Sequence, residues 1–322
     1  MSNHLLRRQT GLSLIELMIA MVLGLVVVGG ATGVVLSSKQ AYRASEQLSR
    51  TQENARIAFE LMAREIREAA GNPCGRSLPV ANILNGASGA SAEWWMRFHD
   101  GLRGSDGTGG NPDALELMSG AGSGVTVTSH DRTPGNAGSP ANFKVNTTKH
   151  GIVDADIIMV CDYTQATILQ VASASDSNVT VTFNKGGSTS PGNCTKGLGY
   201  PVVCTANGNQ KPYGQNSTIV KLQATRWYID ENPNGRNALY RASMAKGVVS
   251  AGEEIAEGVE DMQLEYLVPG QDYLEASSVP NWSEVTAIRV TLTLKGGEAV
   301  GTDGSELTRT LSHVVTLRNR VS

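Results

Sequence analysis

Few residues in this chain have both the type and the spacing that chemistry requires. Among them Glu16 stands out, because it is the only formal charge in the 28 residues from Gln9 to Leu36. A carboxylate within a membrane-spanning helix costs about 2.5–3.5 kcal/mol on insertion scales, so it calls for a partner. The five histidines are scattered and show no metal-like spacing: His4, His99, His130, His150 and His313.

No catalytic constellation accompanies these residues. The chain has no G-x-S-x-G elbow, no G-x-x-x-x-G-K-[ST] loop and no H-E-x-x-H pair. Its net charge of −3 gives a nucleic-acid partner no electrostatic support. We therefore predict a protein that is not an enzyme, with no cofactor, no small-molecule substrate and no nucleic-acid partner.

The four cysteines all follow the apolar run: Cys74, Cys161, Cys194 and Cys204. An even number suits two disulfides in an oxidising compartment, whereas a zinc site needs close C-x-x-C pairs, which are missing. Four cysteines allow three connectivities, and spacing alone does not choose among them. The pairing that we predict is Cys161–Cys194 with Cys74–Cys204, against a local Cys194–Cys204 loop.

One turn has the opening of a calcium loop. Asp230, Asn232 and Asn234 followed by Gly235 match the D-x-N-x-N-G start of an EF-hand, but the twelfth position is Arg241 where a bidentate Glu is needed. Strand-like segments flank the turn on both sides. We predict a hairpin turn and no metal, with a calcium site as the alternative.

The segment that carries Glu16 predicts one long helix over residues 12–70. Residues 13–36 are long and apolar enough to cross a membrane. Beyond them, apolar residues recur at three- and four-residue steps, and Glu46–Arg50 and Glu60–Arg64 have the favourable i, i+4 order. Gly71, Asn72 and Pro73 then end the helix. A cleaved secretory signal and a plain anchor are the alternatives, but the run is longer than a signal core and an anchor leaves Glu16 unexplained.

Residues 71–322 predict a β-rich body. Glycine is frequent (36 residues) and aromatic residues are few (5%). Residues 71–155 are loop-rich, and from position 156 short β-branched segments alternate with Gly, Pro, Asn and Asp. Along 288–294, Ile288, Val290 and Leu292 point one way and the polar residues between them the other way, as in a half-buried antiparallel sheet. The fold class is therefore α+β, with a long N-terminal helix packed on an antiparallel sheet.

The stretch GLSLIEL at residues 11–17 resembles the class III signal of type IV prepilins and pseudopilins. In that family a basic leader, here residues 1–11, is cut after Gly, and Glu is the fifth residue of the product. The resemblance implies cleavage between Gly11 and Leu12 by a membrane aspartyl prepilin peptidase, which also methylates the amine of Leu12. Leu12 departs mildly from the family, which more often has Phe or Met there.

The resemblance extends along the chain to W-type (PilW) minor pilins, through QENARIAFELMAREIREAAGNPC, PGNC, NPNG…LYR and the terminal TLRNR. It implies a pilin-like fold and a role in priming pilus assembly within a tip complex of minor pilins. The expected partners are other minor pilins, the major pilin and the prepilin peptidase. The alternatives are a J-like pseudopilin of type II secretion, which EGVEDMQLEYLV also resembles, and a tip adhesin whose 75–155 loops bind a ligand.

The same resemblance implies the location and the role of Glu16. The chain would lie in the bacterial inner membrane with its C-terminal body in the periplasm, and after assembly in the pilus on the cell surface, where type IV pili serve twitching motility. Our hypothesis is that Glu16 is neutralised by the terminal amine of a neighbouring subunit, which would set the axial register between subunits.

Overall fold

The computed structural model describes residues 13–71, 75, 78–88, 92–122, 124–132, 140–186, 189–299 and 305–320. Contacts within the chain define two compact units. One unit consists of Met1–Gln52 and Gly296–Leu307, and the other of Glu53–Lys295 and Thr308–Ser322.

A single helix, α1, runs from Leu14 to Glu68 and contributes residues to both units. No proline interrupts it, which confirms the prediction of one continuous helix, with ends two residues inside the predicted 12–70. The chain leaves the helix at Ala70, whose φ of 58° lies in the left-handed region that is usually filled by glycine.

The described residues after the helix form seventeen strands, and four short 3₁₀ turns (Trp94–Met96, Thr108–Gly110, Ala276–Ser278 and Trp282–Glu284) lie among them. The first nine strands are β1 (Val80–Asn82), β2 (Leu102–Ser105), β3 (Ala114–Ala121), β4 (Val127–Asp131), β5 (Ala141–Val145), β6 (Ile157–Cys161), β7 (Ala166–Gln170), β8 (Ser173–Ala174) and β9 (Thr180–Phe183). The other eight are β10 (Thr218–Glu231), β11 (Asn237–Ala245), β12 (Val248–Val249), β13 (Glu253–Glu257), β14 (Val259–Leu267), β15 (Tyr273–Leu274), β16 (Ala287–Lys295) and β17 (Thr308–Thr316).

The largest sheet has nine strands and is built around β10. Its path is β1-β7-β6-β10-β11-β12, while β3 pairs with both β10 and β2, and β13 pairs with β11. The fourteen residues of β10 are long enough to pair with β6 over Thr218–Lys221 and with β3 over Lys221–Trp227. All pairs in this sheet are antiparallel except β1 with β7.

A four-stranded antiparallel sheet, in the order β15-β14-β16-β17, carries the predicted alternation. Ile288, Val290 and Leu292 of β16 are buried, whereas Arg289 and Thr291 are half-buried on the other face. The C-terminal part of α1 shares one core with this sheet and with Trp227 and Leu239 of the large sheet. The α+β prediction is therefore confirmed, with α1 packed on mostly antiparallel strands.

A second four-stranded antiparallel sheet, in the order β4-β5-β9-β8, has a core of its own. Phe143 and Phe183 stack in that core with their ring centroids 5.0 Å apart. The loop between β9 and β10 packs against it through Leu198 and Tyr213, both of which are buried. Most of this sheet comes from the segment that the sequence indicated was loop-rich.

The predicted disulfide pairing is wrong, because the structure joins Cys194 to Cys204 with their Cα atoms 4.9 Å apart. The backbone explains this local bridge. The amide of Lys196 donates to the carbonyl of Ala206, and the amide of Gly199 donates to that of Asn209. These bonds fold the loop back on itself and bring the two cysteines together. Cys161 is also disulfide-bonded, and Cys74 lies outside the described residues.

Candidate functional site

The N-terminus of α1 is closed by a reciprocal pair of side chains. Ser13 precedes the helix, and its Oγ accepts a hydrogen bond from the Glu16 amide at 3.3 Å. In return, Glu16 Oε2 accepts from the Ser13 amide at 3.0 Å and from the Ser13 hydroxyl at 3.2 Å. This is a capping box, which satisfies helix-end donors that otherwise have no partner within the helix.

The capping box defines what Glu16 can still do. Its Oε2 atom is engaged with Ser13, and its Oε1 atom has no hydrogen-bond partner among the described residues. The carboxylate can therefore cap its own helix through Oε2 and still accept a hydrogen bond from, or pair with a cation of, another molecule through Oε1. The predicted processing residues, Gly11 and Leu12, lie outside the described residues.

The helix that follows is long and apolar enough to cross a membrane, judged by length and composition. From Leu14 to Leu36 it rises about 34 Å, against a hydrocarbon layer of about 30 Å. None of its most apolar 18-residue window is buried within the chain. A Cβ placed on Gly24, Gly29, Gly30 or Gly33 would meet nothing within 4 Å. The described part of the chain therefore provides nothing that covers the apolar side chains of this window.

The polar half of α1 is lined by ion pairs at i, i+4 spacing. Glu46 binds Arg50 at 2.7 Å, as predicted, but Glu60 binds Arg56 at 3.0 Å and not Arg64. Arg64 instead binds Glu68 at 3.3 Å. The predicted Glu60–Arg64 pair is wrong because Glu60 has an arginine four residues away on either side. Choosing Arg56 lets both glutamates and both arginines find a partner.

One carboxylate fastens this half of α1 to the large sheet. Glu65 Oε1 accepts from Arg241 Nε at 2.7 Å and from Nη2 at 2.6 Å. Its Oε2 accepts from Trp227 Nε1 at 2.7 Å and from the Thr225 hydroxyl at 2.9 Å. Both oxygens are thus fully used, and the bonds from arginine are charge-assisted, which makes them stronger than bonds between neutral groups. We call these four side chains the Glu65 clamp.

The C-terminal segment holds the other end of α1. The Asn319 side chain donates to the carbonyls of Glu68 and Ala69 at 3.3 and 3.1 Å, and the Arg318 amide donates to the Arg67 carbonyl. The last carbonyls of a helix have no partner within it, so these bonds cap it. Residues 317–320 of the TLRNR motif therefore have a structural role in this fold.

The calcium-like turn is a hairpin loop between β10 and β11. Asn232 is buried, and its Oδ1 accepts from the amides of Asn234 and Arg236 at 3.0 and 3.1 Å. Asp230 Oδ1 accepts from the adjacent Glu231 amide. The turn itself thus uses side-chain oxygens that a calcium loop would direct at the ion, as the hairpin prediction expects.

The described part of the chain contains no group of three or more His, Cys, Asp or Glu side chains that could hold a metal ion. His130 is half-buried beside the core of the β4-β5-β9-β8 sheet. Its Nδ1 accepts the Tyr213 amide at 3.1 Å, and its ring packs against Phe143 at 4.6 Å. Burial lowers the pKa of His130 to about 4, with a smaller contribution from Arg132.

Sequence reasoning found Glu16 but missed its partner and the Glu65 clamp. Ser13 and Glu16 form an S-x-x-E pattern just before an apolar run, which is a readable capping-box signal. No comparable signal joins Glu65 to Arg241, because their contact spans 176 positions. Only the fold brings those residues together.

Two family models match the chain at its two ends. Residues 226–319 match the Type IV Pilus-assembly protein W family, and residues 6–32 match the prokaryotic N-terminal methylation motif. No curated protein and no solved structure matches the chain significantly. The first match includes Trp227, Arg241 and the cap residue Asn319, and the second includes the Ser13–Glu16 capping box.

Proposed function

We propose that this chain primes assembly of the type IV pilus and stays at the pilus tip. The proposal proceeds from the two family matches, which support a W-type minor pilin with a role in pilus assembly. In this proposal a few minor pilins associate in the inner membrane, and major pilin is added below them. The observation that carries the proposal is Glu16, which lies at the start of a membrane-length helix within the methylation motif and whose Oε1 has no partner in the described part of the chain.

In the proposed assembly, Glu16 Oε1 pairs with the terminal amine of a neighbouring subunit. We infer that the prepilin peptidase cuts between Gly11 and Leu12 and methylates the new amine, which is a cation. In lipid, the carboxylate of Glu16 and this amine on a neighbouring subunit each need a partner of opposite charge. Pairing between them fixes the axial offset between two helices, while Oε2 keeps the helix end closed through Ser13.

The pilin assignment points to a structural protein without catalysis, and to membrane anchoring through the apolar helix. We propose further that the body from residue 71 lies in the periplasm before assembly and on the pilus afterwards. Its partners would be other minor pilins and the major pilin. The Glu65 clamp would hold the C-terminal part of α1 against the large sheet of that body.

The test converts the Glu16 carboxylate into an amide in the full chain, so that an NH₂ group replaces one oxygen and the negative charge is lost. In cells lacking the protein, wild type and Glu53→Gln should restore surface pili, because Glu53 is exposed in the polar half of α1. Glu16→Gln should be processed and inserted normally yet leave the cells without pili. Pili would be counted by electron microscopy and by shearing, and processing followed by mobility on a gel.

Other outcomes would reject the proposal in different ways. Normal piliation with Glu16→Gln would exclude the carboxylate–amine pairing. Deletion that leaves pili intact but abolishes adhesion would indicate a tip adhesin that binds through the 75–155 loops. Deletion that stops release of exoproteins would indicate a pseudopilin of type II secretion.

A further inference from the structure

A second polar group lies at the other end of the apolar run of α1. The run ends at Leu36, and Lys39, Tyr42 and Arg43 follow at the i, i+3 and i+4 spacing that places side chains on one side of a helix. Tyr42 is 71% exposed. These three side chains, which we call the basic collar, line a shallow hollow of 480 Å³ with Val34, Val35 and Ser38.

Within the described ranges, no acid forms an ion pair with the cations of the basic collar. Lys39 and Arg43 are themselves at i, i+4, a like-charge arrangement that destabilises an isolated helix. The next acid along the helix, Glu46, is already bound to Arg50. Further along α1, Arg56 and Arg64 each have a glutamate partner. No ion pair involving Lys39 or Arg43 occurs among the described residues.

The position of the collar indicates what its partner is. Along the helix, Lys39 is about 35 Å from Glu16, since 23 residues rise 1.5 Å each. A bilayer is about 30 Å thick in its hydrocarbon layer and about 40–45 Å with its headgroups. If the Glu16 end lies at one face of the membrane, the collar lies in the headgroup layer of the opposite leaflet. Tyr and basic residues are the side chains that favour this layer.

We propose that the basic collar binds the phosphate of an anionic phospholipid headgroup, in the leaflet on the side of the β-rich body. The Lys39 ammonium and the Arg43 guanidinium bind the phosphate oxygens, and Tyr42 lies between lipid tails and headgroups with Val34 and Val35 below it. Each cation near an anionic surface adds to membrane attraction. The collar is thus a lipid-binding site that a subunit must leave when it is drawn from the membrane.

This proposal rests on α1 crossing a membrane, so its test measures anchoring separately. The full chain is placed in nanodiscs that contain phosphatidylglycerol and phosphatidylcholine, and the retained lipids are identified by native mass spectrometry. Wild type should retain phosphatidylglycerol above its share in the bilayer. Lys39→Gln/Arg43→Gln should lose this enrichment, with retained lipids falling to the composition of the bilayer.

A matched control removes the same charge elsewhere on the helix. Arg56→Gln/Arg64→Gln alters two arginines that already have glutamate partners and leaves the Glu46–Arg50 pair intact, so it should keep the enrichment. Vesicle flotation should be the same for all variants, because the apolar run is intact. Failure of wild type to float would reject membrane anchoring itself.

Three results would overturn the lipid site. They are a wild type without enrichment, a collar variant that behaves as wild type, and a control that loses as much as the collar variant. If wild type lacks enrichment but Lys39 cross-links to a carboxylate of a second copy, the partner is a neighbouring helix and not a lipid.

Discussion

Two glutamates of the same helix have opposite environments. Glu65 has four hydrogen bonds from Thr225, Trp227 and Arg241, and both of its oxygens are used. Glu16 bonds only to Ser13, one turn away, and keeps one oxygen free among the described residues. The first carboxylate is completed by its own chain and the second is not. The difference separates a residue that holds the fold from one that, in our proposal, pairs with a neighbouring subunit.

The apolar side chains around these glutamates show the same division. In the C-terminal part of α1, the side chains of Phe59, Met62 and Ile66 are buried against the sheets. In the N-terminal part, none of the most apolar window is buried within the chain. The two halves of one continuous helix therefore need different apolar surroundings. The C-terminal half packs in the core of its own protein, whereas the N-terminal half needs an apolar environment that lipid or other helices would supply.

The same substitution in both halves should give the largest difference. Met62 is 0% exposed and Met21 is 63% exposed. Met62→Ala should lower the free energy of unfolding of the body by about 2–5 kcal/mol, because it removes apolar contacts and leaves a cavity. Unfolding would be followed by tryptophan fluorescence in denaturant, on the full chain in detergent.

Met21→Ala serves as the control for that substitution. It should leave the unfolding midpoint of the body unchanged, since the Met21 side chain does not contribute to the body's core. Equal losses for the two variants would contradict the division, because they would mean that the apolar half also supports the body.

The division of α1 into an apolar half and a packed half could be predicted from the sequence, because the signals for it are periodic and act between near neighbours. Glu16 in an apolar run, the three- and four-residue spacing up to Ile66 and the alternation of 288–294 all act between near neighbours along the chain. Each of these features therefore predicted its element, and the structure confirms the long helix and the antiparallel sheet.

Contacts between distant residues could not be read in the same way. The three-residue strand β1 pairs in parallel with β7, 86 positions away, and too few residues are involved to give a periodic signal. The Cys194–Cys204 bridge depends on backbone hydrogen bonds in an irregular loop. The Glu65 clamp unites a helix with two strands. Each of these depends on tertiary structure, which overrides local preference.

A second prediction tests whether the hydrogen bonds to both Glu65 oxygens stabilise the body. In Glu65→Gln an NH₂ group replaces one oxygen and must face a donor from Arg241 or from Trp227. Since the clamp is mostly buried, we expect a loss of about 1–3 kcal/mol in the free energy of unfolding. Denaturant titration of the full chain measures this loss, and a double-mutant cycle with Arg241→Ala should show strong coupling.

Glu68→Gln is the matched control, because Glu68 lies one turn away and its pair with Arg64 is mostly exposed. Exposed pairs contribute about 0–1 kcal/mol, so the control should have little effect. A Glu65→Gln variant as stable as wild type would remove the contrast between the two glutamates, and Glu16 could no longer be distinguished by its free oxygen.

The smallest expected effect concerns the body alone and depends on pH. Burial lowers the pKa of His130 to about 4, and in the unfolded chain it is near 6.5. Between these values the unfolded state binds the extra proton, so stability is complete above about pH 6.5 and decreases as pH falls toward 4. Allowing for partial exposure of the ring, the loss should be about 1–2 kcal/mol.

His130→Asn isolates this contribution, because the amide oxygen of Asn can accept the Tyr213 amide in place of Nδ1 but does not titrate. Unfolding of the body between pH 7 and 4 should therefore become less pH-dependent in the variant. Helicity of the apolar half, followed in membranes by circular dichroism, should be the same in both proteins over this range. A pH-dependent loss shared by the body and the apolar half would show that they are coupled, and would contradict the separation that Glu16 and Glu65 indicate.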